Sequence, residues 1–291
     1  MKRHLLALGA VAGTSIAVAC SLAFPVPDAK LDDVVQDSGA GDAGNILPTT
    51  GSADGAALVC VQTGHDPPLV PAGARVCVDA TPVTRDQYAS FVAASVPLTG
   101  QLAGCESNTS WTPVGTSATG DTPVHGVDWC DAWAFCAWAG KTLCGGFPGA
   151  APPMGEGDAG LTHGLADAVV GDRDASAYPW ACEGGDKALT YPYGNDFDGK
   201  QCYQQLFGTG PEPVPVRSKG CEGGFDGLFD LVGIDEWIDS CANGRCNVAG
   251  GQGCRGSNNL PADLSTGGFY PYLSSVVGFR CCGRAAPTAS P

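Results

Sequence analysis

The sequence predicts an exported, disulfide-stapled domain built from two helices, short strands and long loops. Three observations predict it. Fourteen of the 15 cysteines lie from Cys60 onward, an even set of a size that a reducing cytosol does not sustain. Gly 43 and Pro 22 in 291 residues require much irregular chain. Only two segments carry clear helix start signals, while the remaining apolar runs are short and cut by Gly and Pro.

The N-terminus reads as an export signal. Lys2, Arg3 and His4 precede an apolar stretch over residues 5–19 that ends in Ala17-Val18-Ala19, too short to span a bilayer comfortably. Cys20 follows directly, which resembles a bacterial lipoprotein box in which this cysteine carries the lipid; ordinary secretion is the alternative. Residues 1–19 are thus the signal peptide. Residues 20–57 are a lipidated cysteine with a flexible acidic linker rich in Ala, Gly, Asp, Ser and Pro. One folded domain is expected over 58–284 and a disordered tail over 285–291.

Charge narrows the partners. With 15 Lys+Arg against 30 Asp+Glu, the net charge is −15. Such a surface repels phosphate backbones and anionic lipid, so nucleic acid is excluded and membrane attachment falls to the acyl chains on Cys20. Apolar residues at 44% suffice for a core, and each staple of a loop-rich domain is worth about 2–5 kcal/mol.

The first helix opens at Thr84-Arg85-Asp86-Gln87, a capping box followed by Tyr88, Phe91 and Val92 at helical spacing. The second opens at Asp128. Trp129, Trp133, Cys136 and Ala137 then recur on one face, and Gly140 supplies a stop. Cys130 and Cys136, about 240° apart around that helix, must pin two different sides. Near the end, residues 276–282 read as a strand. Successive side chains of a strand face opposite ways, so Cys281 and Cys282 need different partners.

Common catalytic motifs are missing. There is no Gly-x-Ser-x-Gly elbow, Walker loop, His-Glu-x-x-His helix or Cys-x-x-Cys pair. After the signal only His65, His125 and His163 remain, and they read as loop residues rather than ligands. Asn195-Asp196-Phe197-Asp198-Gly199 offers hard oxygen donors for calcium or, as the preferred reading, an Asx turn. The run from Asp230 to Trp237 could likewise be a calcium cage or a solvated turn beside a core tryptophan.

A resemblance carries further. Val78-Asp79, Val83-Thr84-x-x-Gln87-Tyr88-x-x-Phe91 and Pro123-Val124-x-Gly126-Val127-Asp128-Trp129 come first. Tyr191-Pro192-Tyr193-Gly194, Gly227-Leu228-Phe229-Asp230-Leu231-Val232-Gly233 and Glu236-Trp237 follow, then Arg255-Gly256-Ser257 and Gly278-Phe279-Arg280. Together and in this order they resemble the formylglycine-generating-enzyme family, or sulfatase-modifying factors, over residues 60–283. The extra cysteines are similar to those of a cysteine-rich branch in Gram-negative envelope proteins. The resemblance implies an α+β, C-type-lectin-like fold: a small twisted antiparallel sheet with two flanking helices and long loops.

It also implies copper held by two thiolates spaced Cys-x-x-x-x-Cys after an Arg-Gly-Gly-Ser segment, oxidising a substrate cysteine to formylglycine. Here Arg255-Gly256-Ser257 lacks one glycine, and no cysteine lies between Cys254 and Cys281. Soft thiolates are what copper(I) needs, so copper and catalysis are not expected. Cys241 and Cys246 have the spacing but precede Arg255, and read as structural, bridged to each other or to other cysteines. By the motif one calcium site would use Asp230, the carbonyls of Gly233 and Ile234, and Glu236, on a loop one residue shorter than the family's. A second site has Tyr203 where the family needs Asn and is expected to be empty. Residues 144–155 replace the family's acidic helix with Gly- and Pro-rich chain.

The leading expectation is a non-catalytic member of the family, a lipoprotein presenting a binding module for a glycan or peptide. Contact candidates are Tyr193 and the cluster of Phe269, Tyr270 and Tyr272; for Trp180, core packing is the preferred reading. The alternative is a copper-dependent oxidase working through an unconventional thiol such as Cys254.

Overall fold

The structure, a computed structural model, describes residues 58–114, 120–148, 161–198, 200–202, 214–218, 220–251, 253–255, 257–261, 277–283 and 285–287. The chain opens with β1 (Leu58–Cys60), β2 (Leu69–Ala72) and β3 (Val76–Asp79), then α1 (Arg85–Ala93) and α2 (Trp129–Trp138). After β4 (Thr142–Leu143) and β5 (His163–Gly164) comes a third helix, α3 (Ala177–Glu183). The C-terminal half is strand: β6 (Glu222–Gly223), β7 (Phe225–Phe229), β8 (Glu236–Ala242), β9 (Arg245–Ala249) and β10 (Ser257–Pro261). It closes with β11 (Gly278–Phe279), β12 (Cys281–Gly283) and β13 (Ala285–Pro287).

The α+β class holds, with small sheets rather than one. Antiparallel β2-β3-β12-β4 form a four-stranded sheet. A five-stranded sheet runs β10-β9-β8-β11 with β5 also on β8, and its β8–β11 pair is parallel. The segment expected as one strand over 276–282 therefore divides at Arg280, where the chain passes from one sheet to the other. Among the described residues no helix is long and apolar enough to cross a membrane.

Both expected helix starts are present. Thr84 and Gln87 form the capping box of α1, and Asp128 forms one with Asp131 at α2. The buried face of α2 differs from the expected one. Trp129, Ala132, Phe135 and Cys136 are buried, whereas Ala137 is exposed and Trp133 only half-buried. A helix apolar nearly all round gives a weak period, and the aromatic core decides its rotation. The sequence reading missed α3, which is buried over its whole length and so shows no polar face. Its Pro179 stands in the first turn, where a missing N–H is tolerated.

Two core clusters flank the sheets. Tyr88, Phe91, Trp129, Phe135, Trp237 and Phe279 fill one; Val78, Tyr178, Leu228, Leu231 and Ile238 fill the other. Successive residues alternate between them, as the strand pleat requires. Trp237 and Ile238 of β8 divide this way, and so do Cys281 and Cys282 of β12.

All fourteen cysteines from Cys60 onward are bridged: Cys60–Cys77, Cys105–Cys130, Cys136–Cys281, Cys144–Cys282, Cys182–Cys254, Cys202–Cys221 and Cys241–Cys246. The neighbours Cys281 and Cys282 do take different partners, and Cys130 and Cys136 pin α2 on two sides. Seven bridges mark the chain as extracytoplasmic. One boundary moves. Residues 285–287, expected in the tail, form β13 and pair with β1, so the fold runs three residues past 284.

Candidate functional site

Arg255 opens the segment after which the family's thiols would follow. It is fixed by Glu183, the fully buried last residue of α3, whose carboxylate accepts from Arg255 Nε at 2.5 Å and from a terminal nitrogen at 2.9 Å. The neighbouring Cys254 is bridged to Cys182. Copper(I) at this position would need two thiolates, and Cys254 offers none. The donors present do not fit the metal.

The loop expected to hold calcium is organised differently. Arg280, fully buried where the chain changes sheets, gives Nε to Glu236 Oε2 at 2.7 Å and a terminal nitrogen to Oε1 at 2.8 Å. The same guanidinium donates to the carbonyls of Asp79 (3.2 Å), Phe229 (3.1 Å) and Asp230 (3.0 Å). Tyr178 donates to the Leu231 carbonyl at 2.7 Å and lies 3.3 Å from Glu236 Oε1. Asp230, at φ 56°, turns its carboxylate to the Arg217 amide at 2.7 Å.

The Glu236 carboxylate and the Asp230 carbonyl thus converge on a guanidinium, with Gly233 and Ile234 in the buried loop between them. Among the described residues no three His, Cys, Asp or Glu stand together as a metal-holding group. Both Glu236 oxygens accept from Arg280, while the Asp230 carboxylate accepts the Arg217 amide. The neighbouring Asp235 is pushed up to about 6, chiefly by burial, against the pull of the Gly251 amide. Burial likewise raises Glu236 despite Arg280.

A second buried ion pair locks the four-stranded sheet. Lys141 Nζ reaches Asp79 Oδ1 and the Pro67 carbonyl, each at 2.6 Å, while Asp79 Oδ2 accepts the Cys281 amide at 2.8 Å. Burial outweighs the lysine and pushes Asp79 up to about 6. The sequence reading also missed the His163–Asp239 pair. Nδ1 and Oδ1 lie 2.6 Å apart, beside the rings of Trp129 and Trp133. The hydrogen bond to Asp239 raises the His163 pKa. A partner 76 residues away leaves no local signal.

The one strongly exposed aromatic ring among the described residues stands on the loop after α3. Phe197, 60% exposed, meets Tyr191 at 5.8 Å between centroids. Tyr191 in turn stacks on the predicted Tyr193 at 5.4 Å, with the planes 6° apart. Backbone bonds hold this platform. Tyr191 and Gly194 exchange N–H···O bonds of 2.9 and 3.0 Å, and Pro192 O accepts from Gly224 at 2.8 Å.

Side chains complete the frame. Asn195 Oδ1 accepts the Thr190 amide at 3.0 Å, and Asp198 Oδ1 closes an Asx turn onto the Lys200 amide at 2.9 Å. Trp180 is core, donating Nε1 to the Ala72 carbonyl. Cys20, Tyr203, Phe269, Tyr270 and Tyr272 lie outside the described residues.

The profile of the sulfatase-modifying factor enzyme 1-like domain matches residues 72–285. Among solved structures the chain is similar to CarF (20% identity, TM-score 0.42, covering 72% of this chain and 86% of that one). It is also similar to Treponema denticola variable protein 1 (16%, 0.42, 72% and 84%). PvdO from Pseudomonas aeruginosa is a third such structure (14%, 0.43, 72% and 80%). No curated protein matches the sequence. With the matched region spanning most of the chain, the protein belongs to the sulfatase-modifying factor enzyme 1-like (FGE-sulfatase) domain family.

Proposed function

We propose that this chain is a binding module on the family's scaffold, held in the cell envelope by a lipid on Cys20, and not a cysteine oxidase. One observation carries the reading: Cys254, the thiol nearest the Arg255 segment, is consumed in a bridge to Cys182. Every other cysteine of the domain is bridged as well, so no thiolate pair stands ready for copper. The calcium expected at Asp230, Gly233, Ile234 and Glu236 has no part in this reading, because Arg280 neutralises Glu236.

What the scaffold offers is a rigid exposed surface, the loop bearing Tyr191, Tyr193 and Phe197. Rigid aromatics of this kind bind peptides or sugar faces without a large ordering cost. Phe269, Tyr270 and Tyr272 are further contact candidates from the sequence alone.

Thiol titration of the native, non-reduced protein tests the reading. The expected result is no free thiol, no copper retained on dialysis and no conversion of a cysteine peptide to formylglycine. Two titratable thiols with peptide oxidation would establish the oxidase instead. Lipid attachment is tested separately: Cys20→Ser should move the protein from the detergent phase to the aqueous phase.

A further inference from the structure

We propose that the outward side of α2 rests on the bilayer that anchors the chain, against zwitterionic phospholipid. This depends on the lipid on Cys20 proposed above and names the face of the domain turned to the membrane. Successive residues of a helix stand about 100° apart. Trp133, Ala134, Ala137 and Trp138 therefore share one side of α2, away from Ala132, Phe135 and Cys136 in the core. Ala137 is exposed and the other three are half-buried. Val92, Val96, Leu98 and Leu102 are likewise only partly buried against the same core cluster.

The six tryptophans divide in a way that points to a partner. Trp111, Trp129, Trp180 and Trp237 each donate Nε1 to a backbone carbonyl, at 2.8–3.0 Å. Nε1 of Trp133 and of Trp138 bonds to no described residue and is not buried. An indole with an apolar body and a free N–H is the side chain that collects at a membrane–water interface. Lipid ester and phosphate oxygens accept its hydrogen there.

Charge agrees. On a chain of net charge −15, residues 87–120 hold one charged side chain, Glu106, where the overall charged content of 15% would give about five. Helix α2 also holds one, the buried Asp131. At the margin stand Asp66 beside His65, Glu106 beside the Cys105–Cys130 bridge, and the His163–Asp239 pair beside Trp133. Acidic surface is repelled by lipid phosphate, so the uncharged side is the one that approaches.

The chain also arrives here. Residues 61–65 lead from β1 to the end of α2, where the His65 ring lies 4.3 Å from that of Trp138. Val59 and Val61 on this approach are 53% and 58% exposed. Since 37 residues separate Cys20 from Leu58, acyl chains on Cys20 hold this end of the domain at high local lipid concentration. A weak surface affinity then suffices.

The experiment is tryptophan fluorescence of the lipidated full chain on phosphatidylcholine vesicles with and without brominated acyl chains. Bromine should quench only part of the emission, since four of the six rings are held in the core. Ala137→Asp places a carboxylate at an exposed position in the middle of this side. It should remove most of the quenching with vesicle attachment intact, because a charge resists leaving water. Phe197→Asp, the same charge on the loop after α3, should leave the quenching unchanged. Equal loss in both variants, or no quenching of attached wild type, would overturn the proposal. Stronger quenching on half-phosphatidylglycerol vesicles would overturn it too, as would quenching that vanishes with rising protein density, the mark of a second copy on this side. The two failures separate: an attached but unquenched chain sinks only the docking face, whereas a chain that leaves the vesicles sinks the anchoring beneath it.

Discussion

The junction at Arg280 and the loop at Phe197 are organised by opposite means. Around Arg280 everything is inward: two bridges on adjacent residues, a guanidinium shared among one carboxylate and three carbonyls, and Lys141 on Asp79 behind it. Around Phe197 the side chains from Asn195 to Asp198 are exposed, and the backbone bonds to itself and to its neighbour hairpin. The first region specifies the fold and tolerates little. The second holds its frame with backbone bonds and the side chains of Asn195, Tyr193 and Asp198, and leaves Phe197 exposed.

Removing sulfur should expose that contrast most. Replacing all four of Cys136, Cys281, Cys144 and Cys282 by Ala removes both adjacent bridges, which close nearly the same loop at separations of 145 and 138, and should cost at least about 5 kcal/mol on the loop-entropy account. Chemical denaturation reads it, and a loss below about 1 kcal/mol would show that the ion pairs alone hold the junction. Arg280→Leu leaves a buried carboxylate and three carbonyls without their donor and should cost about 3–5 kcal/mol. If it instead matched wild type, Arg280 would be packing and not a hub.

Asp235→Asn should act in the opposite direction. Its folded pKa of about 6 stands above the ordinary 3.8 because burial disfavours the charge. The folded state therefore binds the proton more readily, and the associated stability is present below about pH 4 and lost as pH rises through about 6. The amide variant should melt higher than wild type at pH 7, by about 1–3 kcal/mol, and equally at pH 4. Asp79 obeys the same sign, so wild type should lose stability across that window. Smallest of all, Phe197→Ala should change stability by less than about 0.5 kcal/mol. A larger loss would make the ring a structural prop.

Much of the inward region was legible in the sequence. The capping residues Thr84 and Asp128 mark their helices because a cap is a local contact, and the pleat alone separates the partners of Cys281 and Cys282. What escaped was non-local or unpatterned. The pairing of Glu236 with Arg280, 44 residues on, leaves no local signal. Helix α3 has no polar face to give a period, and the rotation of α2 was decided by aromatic packing that its own residues do not reveal. At the outward region Tyr193, expected as an exposed contact, is half-buried against the second core cluster, and the exposed Phe197 was read only as part of an acidic turn, since nothing in sequence distinguishes a presented ring from a packed one.

One feature of the first strand bears on mechanics. A pull on the chain ahead of Leu58 begins to peel β1 from β13, but only as far as Cys60, whose covalent link to Cys77 hands the load to β3. From β3 the force spreads into β12 and, through Cys281 and Cys282, to α2 and the end of β4. Force applied at the N-terminal side of the domain is therefore met by covalent bonds after a few residues of extension, and the domain should outlast a pull that would unravel a fold sewn only by hydrogen bonds.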